Sequence, residues 1–483
     1  MATLTKKTNL LKKDLTKGPI LKQMLAFILP LIATNLLQAT YNAADMMIVG
    51  LSHEPDAVGA VGITNTFITL INNIIIGFAM GGNVIVARYL GAKDDENASK
   101  ATHTAIFVSL IFGVGCGALG LAISRPILML MGAEGKFLEL GVTYTYIYLS
   151  AAPFIALMNY LVSIFRAKGD TKTPLFVLSM SGLLNVGLNL IFVLVCHLSV
   201  EGVAGATVIA NATSAIVLLS ILSKDDSPCR FRFKKLRLDK NCFTTIIKIG
   251  LPAALQGALF SISNLIIQSS VIRVNGMLAP GADFQPVVKG HAASGNIEVF
   301  AYTTQNAVYQ ATITFISQNM GAKKPDRVNK TVWRAYALNF IIIAIASAII
   351  TLVYTPFLSL YGVVPGAEGS LERIAYETSY QRLYYMLIPY FTIGIMEIGS
   401  GVLRGMGKST LSMVICLIGA CLLRIVWVMT VFNASPTMPT LYLSYPISWI
   451  LTGTMLFLFG YKTRKKFAKQ VQKEQLLLQT SEK

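Results

Sequence analysis

Four ionisable side chains lie inside long apolar runs of the sequence. The acids are Asp45, Glu298 and Glu397, and the single base is Arg424. A charge in the hydrocarbon region of a membrane is costly, so such side chains usually bind an ion, carry a proton or pair with one another. Each of the four is therefore a candidate functional residue.

Polar amides accompany Asp45 on one side of a predicted helix. The spacing i, i+3, i+7, i+10 holds for Asn35, Gln38, Asn42 and Asp45, and Tyr41 is adjacent to this stripe. Residues at this spacing share a helical face, which has to meet protein or a water-filled cavity rather than lipid. The pattern predicts a polar site at Asp45, with Gln38, Tyr41 and Asn42 in contact with substrate. A helix cap near the outer membrane surface is the structural alternative for Asp45.

An acid and aromatic rings share one face of a later apolar run. The spacing i, i+4, i+7, i+11 holds for Glu298, Tyr302, Gln305 and Tyr309. A carboxylate beside aromatic rings suits an organic cation, through charge pairing and cation–π contact. We therefore predict that Glu298, Tyr302 and Gln305 bind substrate. The alternative is that Glu298 is the structural partner of Arg273 or of another helix.

Further polar residues extend these predictions to the second half of the chain. Gln256, Asn264 and Gln268 are separated by multiples of four residues, so they lie along one side of a predicted helix. We predict that they contact substrate as well. For Glu397 two interpretations stay open, a structural ion pair with Arg424 or a second proton site.

The composition requires these residues to sit in membrane helices. Of 483 residues, 54% are hydrophobic and only 13% are charged, whereas soluble domains carry about 25% charged residues. This excludes a soluble enzyme and a disordered scaffold. A membrane-spanning helix needs about 20 mostly apolar residues. Twelve such stretches are predicted, near 23–50, 58–82, 101–123, 143–165, 174–197, 202–222, 243–273, 290–316, 332–354, 380–402, 409–432 and 440–461.

The distribution of charge predicts the topology. Most of the 41 Lys and Arg residues fall in the N-terminus, the even-numbered loops and the C-terminus, which the positive-inside rule places in the cytoplasm. The net charge of +18 is then a topology signal and a contact with anionic lipid headgroups, not a nucleic-acid interface. The 6 Cys form no CxxC pair and the 4 His are dispersed, so no metal site, disulfide framework or cofactor is expected.

Short motifs recur six spans apart. Gly91-Ala-Lys93 and Gly321-Ala-Lys323 follow spans 2 and 8, and Arg166-x-x-Gly169 and Arg404-x-x-Gly407 follow spans 4 and 10. They are tight cytoplasmic turns in which Gly takes unusual dihedral angles, or parts of an inner gate. The duplication predicts two equivalent bundles, an architecture of transporters. The expected parts are a basic N-terminus 1–22, an N-lobe 23–222, a basic linker 223–242, a C-lobe 243–463 and a tail 464–483.

Several motifs in order resemble one transporter family. They are Tyr41-Asn42-Ala-Ala-Asp45, Gly202-Val-Ala-Gly205-Ala-Thr207, Gly250-Leu-Pro252, Gln318-Asn319-Met-Gly321-Ala-Lys323 and Tyr445-Pro446-Ile-Ser. Together, over about residues 20–463, the chain resembles bacterial multidrug and toxic compound extrusion (MATE) transporters of the MOP flippase superfamily. The resemblance implies an all-α polytopic protein with twelve transmembrane helices in two pseudo-symmetric six-helix bundles.

The resemblance also implies a function. Such a protein would export drugs and organic cations across the cytoplasmic membrane in exchange for Na⁺ or H⁺ by alternating access, as a monomer with both termini in the cytoplasm. A lipid-linked precursor flippase of the same superfamily is the alternative. An enzyme is not expected, because the sequence has no Ser/His/Asp order, HExxH or phosphate loop.

The resemblance assigns Asp45 to the coupling ion or proton, with Asn159 and Thr207 in support. Asn185 and Asn189 form an i, i+4 pair in span 5, where the family often has an acid at the second position. Asn189 departs from that pattern and removes one charge from the site. A lone carboxylate with amide oxygens can hold Na⁺ or carry a proton, and the sequence leaves both open.

Overall fold

The computed structural model describes residues 14–52, 54, 56–282 and 284–481 of the chain. Within these residues every regular element is a helix. The all-α fold is therefore confirmed. Of the predicted cytoplasmic N-terminus 1–22, residues 1–13 lie outside the described part.

In the first half of the chain, the described residues form seven α-helices. Their bounds are α1 Ile20–Val49, α2 Ala57–Ala92, α3 Asp95–Leu130, α4 Gly135–Ser150, α5 Ala152–Ala167, α6 Lys172–Leu190 and α7 Val200–Ser223. α3 begins after Asp94, whose side chain accepts a hydrogen bond from the Asn97 N–H at 3.1 Å. Hydrogen bonds from the Asn97 side-chain amide and from the Asn97 N–H lower the pKa of Asp94. The cap also satisfies a backbone donor that the helix leaves unpaired. α4 and α5 meet at a bend of 49°, and α6 continues into a π turn, Ile191–Val195.

The part of the second half that the structure describes forms nine α-helices. Their bounds are α8 Lys240–Leu278, α9 Pro286–Gly321, α10 Pro325–Leu352, α11 Tyr354–Leu360, α12 Leu371–Arg382, α13 Phe391–Gly405, α14 Ser409–Cys416, α15 Leu423–Trp427 and α16 Met438–Ser481. A kink at Pro389 separates α12 from α13, because proline removes a backbone donor and its ring clashes with the preceding turn.

The helices account for the predicted spans. Ten helical segments in the described part of the chain are long and apolar enough to cross a membrane, or eleven if the bent α4–α5 pair counts as one span. Two of the ten contain more than one α-helix: Leu371–Gly405 contains α12 and α13, and Ser409–Phe432 contains α14 and α15. The prediction of a multi-pass membrane protein is confirmed. The remaining predicted span, 290–316, lies in α9, which has 36 residues and is long enough to cross. Its polar side chains keep α9 below the hydropathy of the others.

The chain divides into two compact units. Unit 1 contains the residues up to Gly257 together with Ser317–Lys324, and unit 2 contains Ala258–Ile316 and the residues from Pro325 onward. The boundaries therefore fall inside α8 and α9, not in the linker 223–242. Tyr160 and Phe165 are fully buried in unit 1, and Tyr390 and Tyr442 are fully buried in unit 2, so each unit has its own apolar core.

Candidate functional site

Unit 1 contains a cavity of about 370 Å³ that is lined by α1, α2, α4, α5, α6 and α7. Seven residues that the sequence or the resemblance singled out line it: Gln38, Tyr41, Asn42, Asp45, Asn159, Asn185 and Thr207. The described lining residues include no Lys, Arg or His. Asp45 is therefore an acid in a polar cavity without a basic partner in its walls.

An amide network starts at Asp45. Asn189 is fully buried, and its Nδ2 donates to Asp45 Oδ1 at 2.5 Å. The same nitrogen lies 3.4 Å from Asn185 Oδ1, and Asn185 Nδ2 donates to Thr207 Oγ1 at 3.3 Å. Asn189, the position where the chain departs from the family pattern, is thus the direct partner of the carboxylate. An amide N–H stabilises the ionised form of Asp45 without neutralising it.

Two buried amide oxygens in this part of unit 1 accept no hydrogen bond from the described residues. They are Asn189 Oδ1 and Asn72 Oδ1. Asn72 Nδ2 donates to the Tyr148 hydroxyl at 2.9 Å, and both residues line the cavity. Buried polar atoms are normally paired, and carboxylate and amide oxygens are the ligands that hard cations prefer. The Asn189 oxygen, on the amide that contacts Asp45, fits a bound cation or an ordered water. The Asn72 oxygen offers a further unpaired acceptor on a residue of the cavity wall.

Two polar stripes in the cavity wall were missed by sequence reasoning. Asn65, Thr69 and Asn72 are spaced i, i+4, i+7 on α2 and all line the cavity. The same spacing relates Asn211 and Ser214 on α7 to Thr207. A search of every apolar run for the spacing found in α1 would have identified both stripes.

The tyrosine and the amide next to Asp45 are held in place by backbone carbonyls. The Tyr41 hydroxyl donates to the Ser179 carbonyl oxygen at 3.2 Å, and Asn159 Nδ2 donates to the Ile155 oxygen at 2.8 Å. The first bond ties α1 to α6, and the second holds the amide against its own helix. These contacts fix two polar groups at the cavity wall before any ligand binds.

Glu298 is already paired. Its Oε2 lies 2.6 Å from Arg382 Nη2 and 3.0 Å from Arg382 Nε. Arg382 Nη1 lies 3.0 Å from His291 Nε2, and His291 Nδ1 lies 3.0 Å from the Tyr442 hydroxyl. Arg273, the predicted partner, instead donates to Asn433 Oδ1 at 2.9 Å. The alternative of a partner on another helix is the one the structure supports, because Arg382 ends α12 with its side chain only 13% exposed.

The other predicted substrate residues do not join the cavity in unit 1. Gln256 belongs to unit 1, whereas Asn264 and Gln268 belong to unit 2, and none of them lines the cavity. Tyr302 is 41% exposed in unit 2. Gln305 is fully buried there, and its amide nitrogen and oxygen find no partner among the described residues. None of these residues is among those that line the cavity in unit 1, and their role in binding substrate stays a prediction.

The ion pair suggested between Glu397 and Arg424 does not form. Arg424 Nε donates to Ser448 Oγ at 3.0 Å, and the guanidinium lies 4.1 Å from the centre of the Tyr445 ring. In the described part of the chain neither Glu397 nor Arg424 has an opposite charge within 4.0 Å. A cation–π contact and a hydroxyl therefore take the place of the carboxylate. A proton site at Glu397 stays a prediction.

The two Gly-Ala-Lys turns contact each other within unit 1. A Cβ at Gly91 would lie 1.9 Å from the Gln318 carbonyl oxygen, and a Cβ at Gly321 would lie 1.9 Å from the Arg88 oxygen. The positive φ angles in these turns belong to Lys93 and Lys323, at 58° and 52°. The expectation that Gly supplies the unusual dihedral is therefore wrong for the Gly-Ala-Lys turns, whereas it is confirmed for the Arg-x-x-Gly turns, where Gly169 and Gly407 have φ angles of 83° and 76°. The glycines are needed because two backbones touch.

The N-terminal segment at Leu15 is hydrogen-bonded to the second of these turns. The Leu15 N–H donates to Gln318 Oε1 at 3.3 Å, and Asn319 Nδ2 donates to the Leu15 oxygen at 3.3 Å. Gln318 Nε2 donates to the Ala167 oxygen at 2.6 Å, and Leu15 is 1% exposed. The two Gly-Ala-Lys turns, the segment at Leu15 and the end of α5 at Ala167 thus contact one another, and we call these four elements the turn cluster.

Replacing Glu298 by Gln should destabilise the protein. Its side chain and that of Arg382 are 17% and 13% exposed, and removing one partner of a buried pair costs about 3–5 kcal/mol. We expect a clear fall in the melting temperature of the detergent-solubilised protein. The control is Glu139→Gln, which breaks an exposed pair with Arg125 and should cost less than about 1 kcal/mol. Equal small effects of both substitutions would contradict the buried pair.

Comparison with known proteins supports the architecture. A MatE family model matches residues 30–191 and 252–430. The probable multidrug resistance protein YoeA of Bacillus subtilis is 26% identical over 413 residues, which cover 83% of this chain and 85% of the relative. The multidrug export protein MepA of Staphylococcus aureus is 26% identical over 251 residues, about half of each chain, 52% and 56%.

Solved structures share the fold. A multidrug resistance MATE family transporter of the MOP superfamily, in an outward-facing conformation, aligns with a TM-score of 0.85 and 20% identity over 95% of this chain and 99% of that chain. A MOP superfamily transporter from Pyrococcus furiosus aligns with a TM-score of 0.84 and 20% identity over 94% and 98%. The resemblance found in the sequence motifs is confirmed. Since the family model covers most of its length, the chain belongs to the MatE family, a family of membrane transporters and not of enzymes.

Proposed function

We infer that this protein is a secondary active antiporter that exports drugs and organic cations across the cytoplasmic membrane in exchange for Na⁺ or H⁺. The observation that carries the proposal is Asp45, an acid in a polar cavity whose described walls contain no base. A carboxylate in this setting has to be neutralised by something that enters from water. The names of YoeA and MepA as multidrug proteins support the substrate class.

The cavity suits an amphipathic cation. Its volume of about 370 Å³ lies in the range of about 300–1,000 Å³ that is typical of small-molecule sites. Tyr41, Tyr144 and Tyr148 supply aromatic rings, and Val61, Ile68, Ile76 and Met158 are among the apolar lining residues. A positive ligand would pair with Asp45 and lie against the rings, while apolar walls accept varied shapes.

Competition at Asp45 provides the coupling. Na⁺ or a proton neutralises the carboxylate and removes the attraction for a cationic substrate, which is then released outside. Return to the inward state frees the ion and restores the site for the next substrate. Such a cycle requires that each ligand has a different affinity for the two states. The buried oxygens of Asn189 and Asn72 would complete the ligands of Na⁺, or hold water beside a protonated Asp45.

The proposal includes a location and an assembly state. We propose that the protein spans the cytoplasmic (inner) membrane of a bacterium with both termini in the cytoplasm, and the excess of Lys and Arg in the corresponding loops supports this orientation. The protein acts as a monomer and needs no cofactor besides the coupling ion. A lipid-linked precursor flippase would have to hold pyrophosphate or phosphate, and the described walls of the cavity offer an acid and no base for that purpose. The drug antiporter is therefore favoured.

Uptake of a fluorescent organic cation into inverted vesicles tests the proposal. One set of vesicles contains Na⁺ and has no pH gradient, and a second set has an acidic lumen and no Na⁺. We expect one of these two gradients to accelerate uptake by about tenfold, which is within the usual range of coupling between ligands. A Na⁺ ionophore or a protonophore should abolish the corresponding uptake. Vesicles without the protein provide the background. An uptake rate that neither gradient changes would contradict antiport.

A further inference from the structure

A second cavity of unit 1 lies between the start of α3 and the linker that joins α7 to α8. Its volume is about 730 Å³. The basic residues in its lining are Lys100, Arg230, Arg232, Lys234, Lys235 and Arg237, and the acidic ones are Asp95, Glu96, Asp226 and Asp239. None of these residues belongs to the site around Asp45. The cavity is an independent site whose walls are mostly charged.

Hydrogen bonds and a ring contact hold the linker against α3. The Arg232 N–H donates to His103 Nε2 at 3.0 Å, and the Phe231 ring stacks on the His103 ring at 5.7 Å. Thr104 Oγ1 donates to the Arg237 oxygen at 3.5 Å and accepts from the Asp239 N–H at 3.1 Å. The backbone that carries the bases is therefore held in one shape before a ligand arrives, which reduces the entropy lost on binding.

Two of the four acids already have partners, and one of these partners, Lys100, is itself a base of the same lining. Glu96 pairs with Lys100 at 2.6 Å. Asp239 Oδ1 accepts from the Cys242 N–H at 2.9 Å, where it caps the start of α8, and this bond lowers its pKa. Only Asp95 and Asp226 are then left among the described acids of the lining to offset the positive charge of the basic residues.

Four bases keep their charge uncompensated. Among the described residues, no acid lies within 4.0 Å of Arg232, Lys234, Lys235 or Arg237. The lining thus has a surplus of positive charge at a preformed surface. Such a surplus attracts an anion, and guanidinium groups bind phosphate oxygens in pairs.

The same segment carries exposed apolar side chains between two candidate membrane helices. Phe233 is 77% exposed and lies among the four bases, and Leu238 is 44% exposed and directly follows the last of them. α7 ends at Ser223 and α8 begins at Lys240, so the segment joins two helices that can each cross the membrane. Aromatic residues at this level enter the headgroup region, and bases beside them contact anionic lipids.

We propose that segment 230–238 binds the phosphate group of an anionic phospholipid of the cytoplasmic leaflet, with Phe233 and Leu238 inserted beside its acyl chains. The combination of free bases and exposed apolar side chains favours a lipid over a soluble phosphate, which offers nothing to the apolar part. The proposal does not depend on the coupling ion or on the drug site. It assigns the linker a binding role beyond joining the two halves.

Native mass spectrometry of the delipidated full-length protein tests this site. Phosphatidylglycerol should bind about tenfold more tightly than phosphatidylcholine with the same acyl chains, given the attraction of several bases for an anionic lipid. The variant that combines Arg232→Gln, Lys234→Gln, Lys235→Gln and Arg237→Gln should lose that preference. The matched control changes the same number of charges in the exposed tail, Lys465→Gln, Lys466→Gln, Lys469→Gln and Lys473→Gln, and should retain it.

Two further measurements separate the lipid from a soluble anion. Phe233→Ser should weaken phosphatidylglycerol binding while glycerol phosphate binding stays unchanged, and it leaves every base in place. Millimolar inorganic phosphate should fail to displace the lipid. The proposal is overturned if the linker variant keeps the preference, if the tail variant loses it equally, or if phosphate alone displaces the lipid. A single elution peak in size-exclusion chromatography shows that each variant is folded.

Discussion

Replacing Asp45 by Asn should abolish ion-coupled efflux and leave the protein folded. The substitution keeps the size of the side chain and a carbonyl oxygen that can accept from Asn189 Nδ2, which now lies 2.5 Å from Asp45 Oδ1. It removes the only acid among the described lining residues of the cavity. We expect gradient-driven uptake of the organic cation to fall by about 100-fold, near the upper end of measured coupling between ligands.

Two comparisons make this test specific. Asp56→Asn removes an exposed carboxylate from the turn after α1 and should leave uptake unchanged. The melting temperature of the Asp45→Asn protein should equal or exceed that of the unmodified protein, because an unpaired charge leaves the membrane region. Gradient-driven uptake that persists in the Asp45→Asn protein would disprove the role of Asp45 as the coupling site.

Replacing Gly91 by Ala should force the turn cluster open. The new Cβ would lie 1.9 Å from the Gln318 oxygen, a backbone atom that cannot move aside alone. Inserting a methyl group into such a contact costs about 1–3 kcal/mol, which corresponds to a change in population of about fivefold to a hundredfold. Transport should fall by a similar factor, because the cycle can no longer complete the state in which the two turns touch.

Labelling of a cysteine at position 15 measures the opening directly. Leu15 is 1% exposed, so Leu15→Cys should react slowly with a maleimide in the parent protein and about tenfold faster when Gly91→Ala is added. Peptide mapping distinguishes this cysteine from the native ones. Gly62→Ala is the matched control, since its Cβ on the same helix α2 meets nothing within 4 Å. Equally slow labelling in all three proteins would contradict the steric argument.

The site was predictable where it followed from spacing along one helix. The stripe that ends at Asp45 was identified in this way, and the structure places Gln38, Asn42 and Asp45 at one cavity. The contact between Asp45 and Asn189 joins α1 to α6, and spacing within one helix cannot show it. Only the resemblance to the family pointed to Asn189.

Pairing between helices was the part that sequence reasoning could not resolve. Arg382 lies at the end of α12, at the edge of a predicted span, so its position in the sequence does not mark it as the partner of Glu298. The sequence suggests an ion pair between Glu397 and Arg424, because a buried base is usually paired with an acid. The structure instead gives it Ser448 and the face of Tyr445, neither of which carries a charge that would mark it in the sequence.

The π turn Ile191–Val195 begins two residues after Asn189, and the Cys196 N–H bonds to the Ile191 oxygen at 3.0 Å. A π turn holds one residue more than an α turn, and such widened turns recur at functional sites. Migration of that extra residue toward the start of α6 would rotate Asn189 about the helix axis without unwinding the helix. The amide would then swing away from Asp45, so a small slippage of one helix can remove the hydrogen bond that the carboxylate accepts from Asn189.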